Sequence, residues 1–161
     1  MSEEKRIRER DVIIETISRL MIPFIQLFAL YVIIHGTKGP GGGFQGGVIF
    51  ASSFVLYLVV FGLAAAGKRF PEGADTALMS TGVYIFAGVG LLCILVTLGT
   101  AEYLNYGFIP LTHHFEENRA LGMDLVEIGI GITVMAVITE IFFNLVWKKE
   151  EEKGKGKEEQ R

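Results

Sequence analysis

Apolar residues fill four long blocks of this chain, and polar or glycine-rich segments separate them. The blocks cover residues 12–35, 47–66, 77–99 and 122–147. Each exceeds the roughly 18 residues at which a hydrophobic stretch is read as a membrane-spanning helix. The pattern therefore predicts an all-α integral membrane protein with four transmembrane helices in residues 12–147. Residues 1–11 alternate charges too densely for a core and predict a cytoplasmic extension of the first helix. Residues 148–161 mix Lys and Glu with two glycines and read as a disordered cytoplasmic tail. The first apolar run is too long for a signal peptide and lacks a small-residue cleavage site, so no removable leader is expected.

Between the first two blocks lies a segment unlike any other, Gly-Thr-Lys-Gly-Pro-Gly-Gly-Gly-Phe-Gln-Gly-Gly from Gly36 to Gly47. Such glycine density implies unusual backbone shape, close approach of neighbouring segments, or both. Pro40 sets one φ in its middle and supplies no donor. Pro40, Gly41, Gly42, Gly43, Phe44, Gly46 and Gly47 form the candidate packing motif. Gly43, Gly47 and Ala51 recur every four residues, which places a small-residue ridge along the start of the second helix. Gly41, Gly43 and Gly46 match G-x-G-x-x-G, but no strand precedes them and no acid follows about 20 residues later; Val48 and Ile49 stand where a phosphate loop needs Lys and Ser or Thr. Nucleotide binding is not expected.

Polar residues inside the apolar blocks are few, and each has a structural reading beside any functional one. Glu15 and Arg19 are four apart, an interfacial pair on one helix face, and Pro23 bends the first helix or frees a carbonyl. His35 reads as a hydrogen-bonding residue at a span end. Phe50, Phe54, Tyr57 and Phe61 form an aromatic packing stripe on the second helix. The third helix is punctuated by Gly82, Gly88, Gly90 and Gly99 and carries no charge, so it is poorly equipped to conduct ions. Residues 100–121 make a long connection in which His113, His114, Glu116 and Glu117 lack metal-ligand spacing and predict a solvated or partner-facing loop.

The fourth span holds Asp124, Glu127 and Glu140. Asp124 and Glu127 share a face near the start of that span, where the positive helix terminus favours carboxylates. Glu140 lies on a different face roughly 20 Å further along the axis and about 10 Å before Trp147. It reads as an interfacial acid paired with a neighbouring subunit, or as a proton or sodium relay. Of the three acids it is expected to matter most, being farthest from the outer end and without a lysine before Lys148.

Composition supports this reading: half the residues are hydrophobic and the mean hydropathy is +0.43, while charge gathers at the ends and loops. The single cysteine, Cys93, excludes an internal disulfide and a cysteine metal cluster and reads as a buried core thiol. No cofactor, metal or nucleic-acid partner is expected. Twelve Lys and Arg residues lie in the amino end, the 67–75 connection and the tail, against Lys38 and Arg119 in the other two connections.

The 40–47 core, Pro-Gly-Gly-Gly-Phe-x-Gly-Gly, resembles the hallmark of the B subunit of multisubunit Mrp-type sodium/proton antiporters, the MnhB family. The run Met123 to Ile130 resembles that family's later Asp-x-Gly-Val helix. Where the family commonly has Gly-His-Asn before the proline, this chain has Gly36-Thr37-Lys38-Gly39, and Gln45 replaces an apolar residue. The resemblance implies an accessory, non-catalytic membrane subunit of a cation/proton antiporter module, with other membrane subunits as partners and Na+ and H+ as the ions. The departures point to a relative recruited into an archaeal membrane-bound hydrogenase or a sulfur-reducing complex. A purely structural scaffold and a stand-alone oligomeric carrier are the alternatives.

The uneven distribution of basic residues predicts that both termini face the cytoplasm. A cysteine placed by Lys153→Cys should react with an impermeant reagent only after the cytoplasmic face is opened. Labelling from outside in intact cells overturns this orientation.

Overall fold

The computed structural model describes residues 3–70, 73–97, 103–109 and 114–158. Five helices follow one another: α1 Glu3–Ile34, α2 Gly43–Phe61, α3 Leu63–Arg69, α4 Ala74–Val96 and α5 Phe115–Glu158, with a 3-10 turn at Tyr106–Phe108 before α5. Four segments are long and apolar enough to cross a membrane: Asp11–Ile34, Gly43–Phe61, Ala74–Val96 and Phe115–Lys149. The chain runs back and forth, so the glycine segment and the 103–109 segment lie at one end, the loop end. The start of α1, the end of α5 and α3 lie at the other, the terminal end.

These helices form a row rather than a closed bundle. α2 packs between α1 and α5, and α4 packs on the far side of α5; among the described residues α4 meets neither α1 nor α2. Ser18, Ile22, Ala29 and Ile33 recur at helical spacing and are buried, whereas Phe24, Leu27, Phe28 and Tyr31 between them are exposed. Such a surface is stable against acyl chains or other membrane helices. In water, so large an apolar face drives association.

Small residues set the spacing in the row. A Cβ built on Gly47 would stand 2.7 Å from the Gly131 carbonyl oxygen of α5 and 3.0 Å from the Val134 side chain. One on Gly43 would overlap the backbone of Glu127, and one on Gly46 would overlap Ile33 of α1. On the other side of α5, Gly82 and Gly129 meet so closely that a Cβ on Gly129 would lie 2.9 Å from the Gly82 carbonyl oxygen. The buried hydroxyls of Ser53 and Thr139 donate within their own helices, to the Phe50 and Met135 carbonyls, each at 2.7 Å.

Several boundaries depart from the expectation: α2 starts at Gly43 rather than 47 and α4 at Ala74 rather than 77. The second span ends at Phe61, not Ala66, because Gly62 takes φ 79° and breaks the helix, leaving α3 as a separate turn. α5 starts at Phe115 rather than 122, shortening the long connection. It also continues to Glu158, so most of the tail is helical: Lys and Glu are strong helix formers. α1 runs through Pro23 without interruption. Gly99 and His113 lie outside the described residues.

Replacing Gly47 with Leu should separate α2 from α5 and lower stability by about 3 kcal/mol or more, the upper end of overpacking costs. Gly88, where an added Cβ meets nothing within 4 Å, serves as the control. Thermal unfolding in detergent should show a large loss for Gly47→Leu and none for Gly88→Ala; equal behaviour overturns the close-packing account.

Candidate functional site

The glycine segment closes directly onto the end of α1. Gly42 N donates to the Val32 carbonyl at 3.1 Å, and Lys38 N and Gly39 N both donate to the His35 carbonyl, at 3.1 and 3.0 Å. Gly42 then turns the chain into α2 with φ 139°, a conformation that favours glycine. Pro40 and Phe44 are exposed on this turn, while Gly41 rests against the Val32 carbonyl and Gly46 against Ala29 and Ile33.

Beneath this turn lies the Glu127 carboxylate. A Cβ on Gly36 would coincide with it, so the missing side chain makes the space the acid occupies, with Gly42 and Gly43 closing the same pocket. Glu127 Oε2 is buried and has no hydrogen-bond partner. One turn nearer the loop end, Asp124 Oδ1 accepts a hydrogen bond from Thr37 Oγ1 at 2.9 Å. Two acids from one helix face thus receive one hydroxyl donor and a set of glycine backbones. An oxygen in low dielectric without a donor is costly unless a proton, a cation or a partner's donor reaches it.

The register across α5 sets the depth of this pocket. Gly129, two residues past Glu127, meets Ile85, whose side chain is 3.1 Å from the Cβ position of Gly129. Ile85 is the midpoint of the 23-residue α4. Glu127 therefore stands within about 3 Å of the level of the middle of α4 at 1.5 Å rise per residue. α2 begins at this level, the glycine segment before it reaches at least one turn further, where Thr37 meets Asp124, and α4 continues past Ile85 for about 16 Å. The expected helix-terminus stabilisation does not apply to Asp124 and Glu127: the first turn of α5 contains Glu116 and Glu117 instead, and the effect fades beyond that turn.

Residues 13–140 match the family described as a domain related to the MnhB subunit of the Na+/H+ antiporter. The chain belongs to the MnhB family. The B subunit of the Na(+)/H(+) antiporter of Bacillus subtilis is 33% identical over 153 residues, covering 87% of this chain and 99% of its own length. Its counterpart in the Na(+)/H(+) antiporter of Alkalihalophilus pseudofirmus is 32% identical over 142 residues, 84% of this chain and 97% of that protein. The putative antiporter subunit mnhB2 of Staphylococcus haemolyticus is 27% identical over 146 residues, covering 86% and 96%. This is a multi-pass membrane protein, and its similarity to these MnhB-family proteins extends over nearly their whole length.

Other polar and aromatic residues of this MnhB chain lie apart from the glycine pocket. Glu140 opens on a cleft of about 740 Å³ at the terminal end, shared with Lys68, Asp75, Asn144 and Trp147. Sequence spacing offers Glu140 no lysine before Lys148, but the turn through α3 carries Lys68 to its cleft. Arg19 pairs with Glu15 at 3.5 Å with its side chain 69% exposed, a geometry worth little by itself. Its guanidinium also lies 5.3 Å from the Phe61 ring centroid, which ties α1 to the end of α2. The aromatic stripe continues from Phe54 to Phe70 and on to Phe143 of α5, at 5.3 and 6.1 Å between centroids. Among the described residues no three His, Cys, Asp or Glu side chains converge on a metal position. Sequence reasoning does not reach Thr37 and Gly36 as partners of these acids; their position in the glycine segment is the only signal.

Because the carboxylate fills the space of the missing Gly36 side chain, Gly36→Ala should destabilise the protein by roughly 1–3 kcal/mol. Shortening the acid with Glu127→Ala should recover part of that loss. Thermal unfolding of the single and double variants gives the coupling; strictly additive effects overturn the contact.

Proposed function

We propose that the chain works as an accessory, non-catalytic subunit of a multisubunit Na+/H+ antiporter and that Glu127 is the acid through which it takes part in proton movement. The observation that carries this reading is the buried, unpartnered Glu127 oxygen level with the middle of a membrane-spanning helix. A carboxylate there offers a proton a binding position between the two aqueous phases. Asp124, held by Thr37, supplies negative potential one turn away, and Glu140 serves the opposite end from its own cleft. In this reading the glycine end faces outside and both termini face the cytoplasm. The row of helices leaves α1 and α4 open to neighbouring membrane subunits.

A second reading places the subunit in a hydrogenase-like redox complex, favoured by the Gly36-Thr37-Lys38-Gly39 and Gln45 departures from the family pattern. Mass spectrometry of the gently extracted complex separates the two by whether redox subunits accompany the antiporter subunits.

The test is exchange by the assembled complex in vesicles. Glu127→Gln keeps shape and removes the charge, and should slow exchange by about an order of magnitude or more, in line with the loss of a positioned proton-transfer group. Subunit content should not change. Glu140→Gln and Asp124→Asn should have smaller effects. Normal exchange with Glu127→Gln leaves this chain as a scaffold.

A further inference from the structure

Above the glycine pocket, toward the loop end, the 103–109 segment folds back along α4 and α5. Leu104 takes φ 61°, the one positive φ of a non-glycine residue among the described residues. Strain of this kind persists where surrounding contacts hold it. Here Tyr103 fills the space over Gly90 and Tyr106 the space over Gly122. Burial, with smaller contributions from Cys93 and Tyr103, pushes the Tyr106 phenol above its ordinary value, so it presents a neutral hydroxyl.

Between this segment and α5 lies a cleft of about 560 Å³ lined by Tyr103, Leu104, Asn105, Tyr106, Arg119 and Met123. Arg119, Met123 and Glu127 follow one another at four-residue spacing, on one side of α5 and about 6 Å apart along its axis. The cleft reaches Met123, and the half-buried Glu127, with its Oε2 shielded from solvent, lies one turn below. α1 ends at Ile34 and α2 begins at Gly43; the segment between them reaches one turn past Glu127, where Thr37 meets Asp124, the α5 residue next to Met123.

We propose that this cleft is the aqueous entry by which protons from the loop-end side reach Glu127, and that Met123 is the plug between water and carboxylate. The inference rests on the reading of Glu127 as a proton carrier. A cleft of this size holds on the order of ten waters, and its tyrosine, asparagine and arginine groups can hydrogen-bond to them. Met is unbranched and turns about three bonds, so it can open and reclose a narrow passage without disturbing the helix. The step itself is simple. A hydrated proton gives its proton to Glu127 Oε2, one O–H bond forms as another breaks, and water is left behind; release is the reverse.

The experiment uses the assembled complex in vesicles of both orientations. Lys38→Cys marks the loop-end side, and the wild-type chain, whose only thiol is the fully buried Cys93, is the blank. A small impermeant thiol reagent should label Met123→Cys from the side that labels Lys38→Cys, and attachment should slow exchange several-fold. Asn105→Cys, on the opposite wall, should behave alike if Met123→Cys assembles poorly. Absence of labelling from the Lys38 side overturns the entry, and so does labelling that leaves exchange unchanged. Failure of the Glu127 reading looks different: Glu127→Gln then exchanges normally while Met123→Cys still takes the label. Loss of exchange in Glu127→Gln with Met123→Cys unlabelled removes the entry and spares the acid.

Discussion

The structure depends on backbone-to-backbone approach at the glycine positions of α2 and α5. Inside a bilayer, helices gain little from burying apolar surface against one another, since lipid is as apolar as leucine. What remains is contact, and contact is tightest where Cβ atoms are missing. Gly43 against Glu127, Gly47 against Gly131, and Gly82 against Gly129 and Thr133 bring three helices together through backbone atoms. With glycines on both of its sides, α5 becomes the helix on which the others are assembled.

The same contacts create the chemical site. Glu127 does not enter a preformed cavity; it takes the volume that Gly36 leaves and is closed in by the backbone that Gly43 lays over it. A small-residue motif that reads as packing therefore also encloses an acid. The carboxylate stands level with the middle of α4, far from either end of that helix.

A row of four helices is an incomplete membrane body. The outer faces of α1 and α4 carry large apolar side chains, among them Leu27, Tyr84 and Leu95, and only the inner helices α2 and α5 are packed against a helix on two sides. This suits a subunit whose lateral surfaces belong to a larger assembly. It contrasts with a self-sufficient carrier, which closes its helices around a path of its own.

The sequence by itself determined the membrane class, the four spans, the central place of the glycine segment and the family resemblance, since each rests on local composition or on a contiguous motif. Hydrophobic blocks of spanning length leave little choice in a bilayer, where backbone groups must be satisfied within the helix. It was less informative about ends: Gly62 breaks α2 through a backbone conformation that no periodicity announces, and α5 extends at both ends because Glu and Lys support helix outside the apolar block. Only the tertiary structure decided which acid lies beneath the glycines. Asp124, Glu127 and Glu140 look alike along the chain, but register across helices puts Glu127 under Gly36, Asp124 on Thr37, and Glu140 in a cleft with Lys68. Those pairings join residues dozens of positions apart, and helix packing, not sequence spacing, sets the distance between them.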